Sequence, residues 1–436
     1  MENWVNRLAR TICLPAIVAL TAATDAAADD GFFPFWAEPF ARTLCTQDVL
    51  NAEVVATQAY VHGLGGWRLE TQEQEAGIYR GALRPDDGSV LEVIGRLHGT
   101  PQQRLRLVHV AGDSYEFADF FLQMSPDCTV NQGRLVLRGP DGSPYQLLHF
   151  GPNLSRITET EALNPPVPQG KDPGGVAVAH VDSGVNYALP VIGERLARDE
   201  NGKSLGYDFF DDDERPFDLK PSRMSFFPIR HGTTVASVLI AEAPKVRLIP
   251  LRHPARGFER FADIVEHVAK GPARIVLMPL GGYKEEDWKI FAEAAAKHPE
   301  LLFVLTAGNN GRDIDKEPVF PASLKLENAI VVTSSDGFGM LAEDANWGAE
   351  TVDIAVPAER IEVTDHRGAK GRASGASYAA PRVAALAARL LALNPGWTAA
   401  DIKKTIIGFG SPMPREKDPR TKHGWIANPA LEAVAE

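Results

Sequence analysis

Positive charge is scarce in this chain. Lys+Arg number 45 against 57 Asp+Glu, a formal net charge of −12. A surface of that sign repels phosphate, which argues against nucleic acid or an anionic membrane as the main partner. Cysteine is rarer still, with three in 436 residues, and no Cys/His spacing of the zinc-binding kind occurs. There is no heptad run. No Gly-x-Gly-x-x-Gly follows the first long apolar run of the C-terminal part, so a dinucleotide site loses its main support. The N-terminal apolar run, Thr11 to Ala23, is too short to span a bilayer. With 44% apolar and 23% charged residues the composition is that of an ordinary soluble protein, long enough for one large domain and one smaller one.

What is present begins with an export signal over residues 1–28. Arg7 and Arg10 head the apolar run, and Ala26-Ala27-Ala28 offers a small-residue cleavage site before Asp29. The expected destination is periplasmic or extracellular. Cys13 precedes most of the apolar run and has no lipid-attachment context. Removing the signal leaves Cys45 and Cys128, an even pair that in an exported protein suggests one disulfide.

Residues 29–160 alternate short apolar runs with turns. Ser89 to Ile94, Arg104 to Val110 and Arg134 to Leu137 read as strands, and Thr46 to Tyr60 as a helix. The expectation is a small α+β domain without a catalytic motif. Residues 161–175, rich in proline and glycine, read as a linker. From residue 176 to 436 the pattern changes. Val176–Val181, Val246–Leu251, Ile275–Leu280, Leu301–Leu305, Ala329–Val332 and Val352–Val356 are continuous apolar runs, the mark of strands buried on both faces. Helical stretches such as Phe258–Lys270 and Glu285–Lys297 lie between them. That alternation predicts an α/β domain with a parallel sheet covered by helices.

In such sheets reactive residues gather at the carboxyl ends of strands. Asp182-Ser183-Gly184 ends the first run, and Ala307-Gly308-Asn309-Asn310-Gly311 ends the fourth. His231-Gly232-Thr233 opens a small-residue helix. Gly375-Ala376-Ser377-Tyr378-Ala379-Ala380-Pro381 opens another, with Pro381 expected in its first turn. Singly, each has a plain alternative: a turn residue for Asp182 or Asn309, a helix-start histidine for His231, an incidental serine for Ser377. Together they supply a nucleophile, a base, an orienting carboxylate and an oxyanion donor.

These blocks resemble the three signatures of the subtilisin-like serine proteases, the subtilase family (peptidase S8), in that family's order Asp, His, Ser. Ala307-Gly308-Asn309 resembles its oxyanion block, and Leu280-Gly281-Gly282 its substrate-binding strand. Phe320-Pro321-Ala322 and Asn346-Trp347-Gly348 sit at similar landmarks. The likeness covers about Val176 to Ile407. It implies a three-layer α/β/α catalytic domain with Asp182, His231 and Ser377 as triad and Asn309 at the oxyanion hole. Peptide or protein substrates would lie extended along Leu280, Gly281 and Gly282, with Ala307 and Gly308 as pocket walls. The N-terminal domain is then a propeptide that inhibits the cleft until cut near 165–175, or a permanent accessory domain. The chain departs from the pattern at Arg230, Ser237, Pro279, Ala376 and Ala385. Arg230 reads as a solvated side chain.

No cofactor is required by this reading. Asp208 to Glu214 is acidic enough to raise calcium as an option, but the EF-hand spacing is absent and a solvated loop is the default. The α/β-hydrolase alternative needs the order Ser, acid, His, and too little chain follows Ser377 for it. A protease-shaped binding module or locked zymogen remains the rival, though no triad member is missing.

Overall fold

The computed structural model describes residues 34–72, 77–96, 105–111, 118–140, 142–219, 226–254, 257–414 and 418–433. The expected export segment, 1–28, lies outside them. Two compact units form among the described residues. One takes residues up to 113 with 119–135 and 148–160; the other takes 118, 136–147 and residues from 161 onward. No helix among the described residues is long and apolar enough to cross a membrane.

The chain starts with helices α1 (Ala37–Cys45) and α2 (Ala52–Val61). Asn51 caps α2, its side chain accepting from the Val54 N–H at 2.9 Å, so the helix starts six residues later than the sequence suggests. Eight strands follow: β1 (Arg68–Gln72), β2 (Ile78–Arg84), β3 (Val90–Arg96), β4 (Arg106–Val110), β5 (Ala118–Met124), β6 (Val130–Arg138), β7 (Pro144–Phe150) and β8 (Ile157–Ala162). They pair in chain order, with β1–β2, β2–β3, β3–β4 and β5–β6 antiparallel. The end of α1 is joined to the β5–β6 turn by a disulfide between Cys45 and Cys128, 83 residues apart.

Residues 163–175 contain no helix or strand, but they are tied down. Asp172 Oδ2 accepts from the Arg198 N–H and from Arg247 Nη1, both at 2.8 Å. The Tyr187 hydroxyl donates to the Pro165 carbonyl at 2.5 Å. The stretch expected as a free linker is therefore moored to the second unit.

That unit is built on β9 (Val176–Asp182), then α3 (Pro190–Gly193), β10 (Tyr207–Asp208), α4 (Gly232–Glu242), β11 (Val246–Arg252), α5 (Arg260–Ala269), β12 (Ile275–Met278), α6 (Lys289–Lys297), β13 (Leu302–Thr306), β14 (Ala329–Ser335) and β15 (Ile354–Pro357). A hairpin, β16 (Ile361–Thr364) with β17 (Lys370–Ala373), precedes α7 (Ala376–Leu393) and α8 (Ala399–Gly408). Seven strands form one sheet in the order β10-β11-β9-β12-β13-β14-β15, parallel at every pairing.

The alternation of side chains along β9 sorts the two cores. Val178 faces a layer with Val235 and Leu239 of α4, Ala380, Val383 and Leu386 of α7, and Ile402 of α8. Ala177, Ala179 and Val181 face Phe261 of α5 and Phe291 of α6. The result is a helix–sheet–helix sandwich, the α/β class that the apolar runs predict. Alanines line α7, so it lies close against both sheet and α4. Ser237, where the family favours glycine, uses its hydroxyl to accept the Thr364 N–H at 2.9 Å and so ties α4 to the hairpin.

One expectation fails within α7. Gly375 is the cap, and the helix starts at Ala376, which puts Pro381 inside it rather than in its first turn. There it has no N–H to give the Ser377 carbonyl one turn back.

Cross-linking an 83-residue loop removes unfolded-chain entropy, an effect of about 4.5 kcal/mol at most by loop-closure arithmetic. Cys128→Ser should lower the stability of the first unit by roughly 2–4 kcal/mol in urea titration. A loss below about 0.5 kcal/mol contradicts a structural disulfide.

Candidate active site

Asp182 ends β9 with 4% of its surface exposed. Its Oδ1 accepts the Ser183 N–H at 2.6 Å. His231 caps the N-terminus of α4, and its Nδ1 lies 2.8 Å from Asp182 Oδ1 and 2.9 Å from Oδ2. This approach needs Gly232: a Cβ there would stand 2.0 Å from the Gly184 carbonyl oxygen and 3.1 Å from Asp182 Cβ. A carboxylate only accepts, so the imidazole carries its proton on Nδ1 and leaves Nε2 as a base.

A second carboxylate, Asp218, holds this corner from below and is fully buried. It accepts from Ser183 Oγ at 2.6 Å, from the His231 N–H at 3.1 Å and from the Thr233 N–H at 3.0 Å. These N–H groups at the head of α4 have no helical carbonyl to bond, and a negative charge is favoured there. Arg230, expected to be solvated, is instead turned inward. Its guanidinium donates to the Asp218 carbonyl and lies 5.8 Å from the Phe217 ring centroid.

Ser377 is the second residue of α7 and is half-buried. Asn309, exposed on the loop after β13, reaches the same helix head: its Oδ1 accepts the Ala376 N–H at 2.8 Å. That bond assigns the amide, with oxygen toward Ala376 and NH2 turned away as a free donor. Gly375 makes room for it, with φ at +125° and a would-be Cβ 3.0 Å from Asn309 Oδ1. The Ser377 N–H, a first-turn donor of α7, has no partner among the described residues.

Tyr378 brings the two helix heads together. Its ring centroid lies 6.2 Å from that of His231, and its hydroxyl 3.2 Å from Thr234 Oγ1. The structure thus joins Asp182 to His231 and Asn309 to the head of α7. It does not join Ser377 to His231, because the Ser377 hydroxyl makes no hydrogen bond among the described residues. Such contacts often tighten only with substrate in place.

Along the expected substrate strand, Gly282 exchanges both backbone bonds with Phe320, at 2.7 and 2.9 Å. Gly281 is exposed, and its N–H and C=O have no partner among the described residues. Leu280 packs into the core beside α5 and α6. Of the three, Gly281 is the one whose backbone is both exposed and without a partner among the described residues. Ala307 and Gly308 give their carbonyls to Asn346 Nδ2 at 2.8 Å and the Asn346 N–H at 3.0 Å.

Sequence reasoning noted Asn346 only as a landmark and missed what it does. Fully buried, it also accepts the Asn310 and Arg312 N–H groups on Oδ1, both at 2.9 Å, so one side chain shapes the loop that carries Asn309. Asp218 was missed altogether, since nothing in Pro216-Phe217-Asp218 has motif character.

The acidic loop raised for calcium is neutralised from within. Asp208 and Asp211 pair with Arg252 at 2.7 and 2.5 Å, Asp212 with Arg260 at 2.8 Å, Asp213 with Arg215 at 2.7 Å and Glu214 with Lys203 at 2.5 Å. Its oxygens answer arginine and lysine, and nothing in it favours calcium.

Burial pushes the Asp182 carboxyl up, but the charge of His231 and the approach of the His180 and His231 rings outweigh it and hold the group below the usual carboxylate range. A carboxyl with a depressed folded-state pKa contributes stability above its unfolded value, about 4, and loses it as pH falls. Unfolding free energy should therefore drop more steeply below pH of about 5 in the parent than in Asp182→Asn. Parallel acid limbs contradict the pairing.

Residues 174–409 match the sequence profile of the subtilase family. The chain is 31% identical over 266 residues to a thermophilic serine proteinase of Bacillus sp. (strain AK1), covering 58% of this chain and 59% of that one. It is 28% identical over 251 residues to alkaline serine exoprotease A of Vibrio alginolyticus, covering 55% and 43%. Thermitase of Thermoactinomyces vulgaris is 28% identical over 237 residues, covering 53% and 80%. The chain spans less than two-thirds of the length of the first two. With a profile matched over more than half its residues and a parallel sheet that sets Asp182 against His231, the chain belongs to the subtilase family.

Proposed function

We propose that this protein is an exported serine endopeptidase that opens peptide bonds through Ser377, His231 and Asp182. The observation that carries this reading is the imidazole of His231 held at 2.8 Å by a buried carboxylate, at a helix head that adjoins the helix bearing Ser377. Nε2 of His231 takes the Ser377 proton as Oγ attacks the scissile carbonyl, and returns it to the leaving amine. Asp182 keeps the imidazole in the tautomer that leaves Nε2 basic and stabilises the imidazolium. The Asn309 NH2 and the Ser377 N–H donate to the oxyanion at the positive end of α7. Water then hydrolyses the acyl-enzyme by the same proton route.

Substrate binds extended, its backbone pairing with Gly281, while Gly282 stays anchored to Phe320. The disulfide between Cys45 and Cys128 supports an oxidising compartment, in line with an N-terminal export signal. Cleavage within 165–175 would separate the N-terminal domain as a propeptide. The mooring of Asp172 to Arg198 and Arg247 means that the mature N-terminus would remain tied to the peptidase domain after a cut on its N-terminal side.

Steady-state hydrolysis of a fluorogenic peptide library tests this. Ser377→Ala should lower kcat by on the order of 10⁴–10⁶-fold. Asn309→Ala should lower kcat by ~100- to 1000-fold with KM little changed, a range that comes from the oxyanion asparagine of this same family. Ser377→Ala retaining a tenth of the parent activity would overturn the assignment.

A further inference from the structure

Asp182 faces a second imidazole. His180 lies two residues earlier on β9 and is 1% exposed. Residues i and i+2 of a strand share a face, so His180 points with Asp182 toward the α4 and α7 layer. Its Nε2 lies 3.3 Å from Asp182 Oδ2. Neither ring nitrogen has another partner: both are buried and outside any fully formed hydrogen bond. Its neighbours in register are Pro250 on β11 and Leu277 on β12, and neither offers a polar side chain.

A buried imidazole without a partner is destabilising, and an aliphatic side chain would fill the same layer at no such cost. Among the described residues the one polar group that His180 reaches is the carboxylate. On that carboxylate, Oδ1 already takes the Ser183 N–H and the His231 ring, whereas Oδ2 faces only the two imidazoles among the described residues.

We propose that His180 is a positioning residue for the charge pair: a neutral imidazole, protonated on Nε2, that holds Asp182 from the side opposite His231. The inference rests on the peptidase reading above. In this His–Asp–His arrangement the carboxylate cannot rotate away from His231 Nδ1 without breaking its bond to His180. Sharing Oδ2 also moderates the pull of Asp182 on the His231 proton. The other ionisable groups around the pair include Arg252, opposite Asp182 in register on β11 and paired with Asp208 and Asp211, Tyr378 in the first turn of α7 and Asp218 beneath the head of α4. Among the described residues none of these reaches the Asp182 carboxylate with a hydrogen bond.

The test uses the full chain with two substitutions at His180, and Ser377→Ala and Asp182→Ala for spectroscopy. His180→Val should lower kcat by roughly 10- to 100-fold, the scale of a misplaced catalytic group, with KM within about twofold. Without His180 the whole carboxylate charge falls on His231, so the acid limb of the kcat/KM profile should move up by about 0.5–1 pH unit. His180→Gln, which keeps an N–H near the Nε2 position, should restore most of both losses. Equal kcat and an unmoved limb in His180→Val overturn the proposal, and so does His180→Gln behaving like His180→Val. A second readout does not depend on turnover: ¹⁵N imidazole spectra in a Ser377→Ala background. The expected signal is a neutral His180 with an exchange-protected Nε2 proton that disappears in the Asp182→Ala form. A proton on Nδ1, or one indifferent to Asp182→Ala, overturns the proposal even in an active peptidase. A protected Nε2 proton in a protein that hydrolyses no peptide upholds the contact and sinks the peptidase reading instead.

Discussion

A charge buried out of reach of water is tolerable only when other groups replace its solvation. Asp182 is such a charge, and much of the second unit serves to satisfy it. The carboxylate stands at the end of a central strand, where β11 covers one flank and α4 begins above it. The Ser183 N–H and the His231 ring complete the cage. The arrangement fixes where α4 must start, because its cap has to be the partner of Asp182. It also fixes how near α4 can come, because only glycine fits behind that cap. Asp218 then accepts from the N–H groups of the same helix head, so two buried carboxylates serve one corner.

The second half of the site is an inverse problem. At the head of α7 the requirement is positive potential left unspent. The helix supplies N–H groups; that of Ala376 goes to Asn309 and that of Tyr378 to the Gly375 carbonyl, while that of Ser377 has no partner among the described residues. The bond to Asn309 turns the asparagine amide outward and leaves the Ser377 N–H open beside it. The cost of holding Asn309 in place is carried 37 residues away, by Asn346 and its grip on the loop. Helix heads α4 and α7 are thus used in opposite senses, one saturated by carboxylate and one kept receptive to a developing anion.

The sequence was most readable where chemistry and backbone needs coincide in a few consecutive residues. Asp182-Ser183-Gly184, His231-Gly232 and Gly375-Ala376-Ser377 each join a reactive side chain to the glycine or small residue that lets it be approached. The parallel strands were readable for a different reason: burial on both faces leaves an unbroken apolar run. What stayed hidden was relational. Asp218 acts on backbone groups 13 and 15 residues away and Asn346 on groups 34 to 39 residues away, and a side chain that bonds backbone leaves no pattern in its partners. His180 sits in an apolar strand, and its meaning depends on the direction in which the strand twists its side chain. Helix α1 carries no capping side chain at Trp36 to announce it. The position of Pro381 turned on the φ of Gly375, which residue identity alone does not fix.

The central claim is that Ser377 becomes nucleophilic because His231, held by Asp182, can take its proton. Reaction of the purified protein with a fluorophosphonate at neutral pH, read by intact mass and peptide mapping, measures that directly. The account predicts one adduct per chain, on Ser377, and its loss in His231→Ala. An adduct elsewhere, or equal labelling of Ser377 without His231, would contradict it.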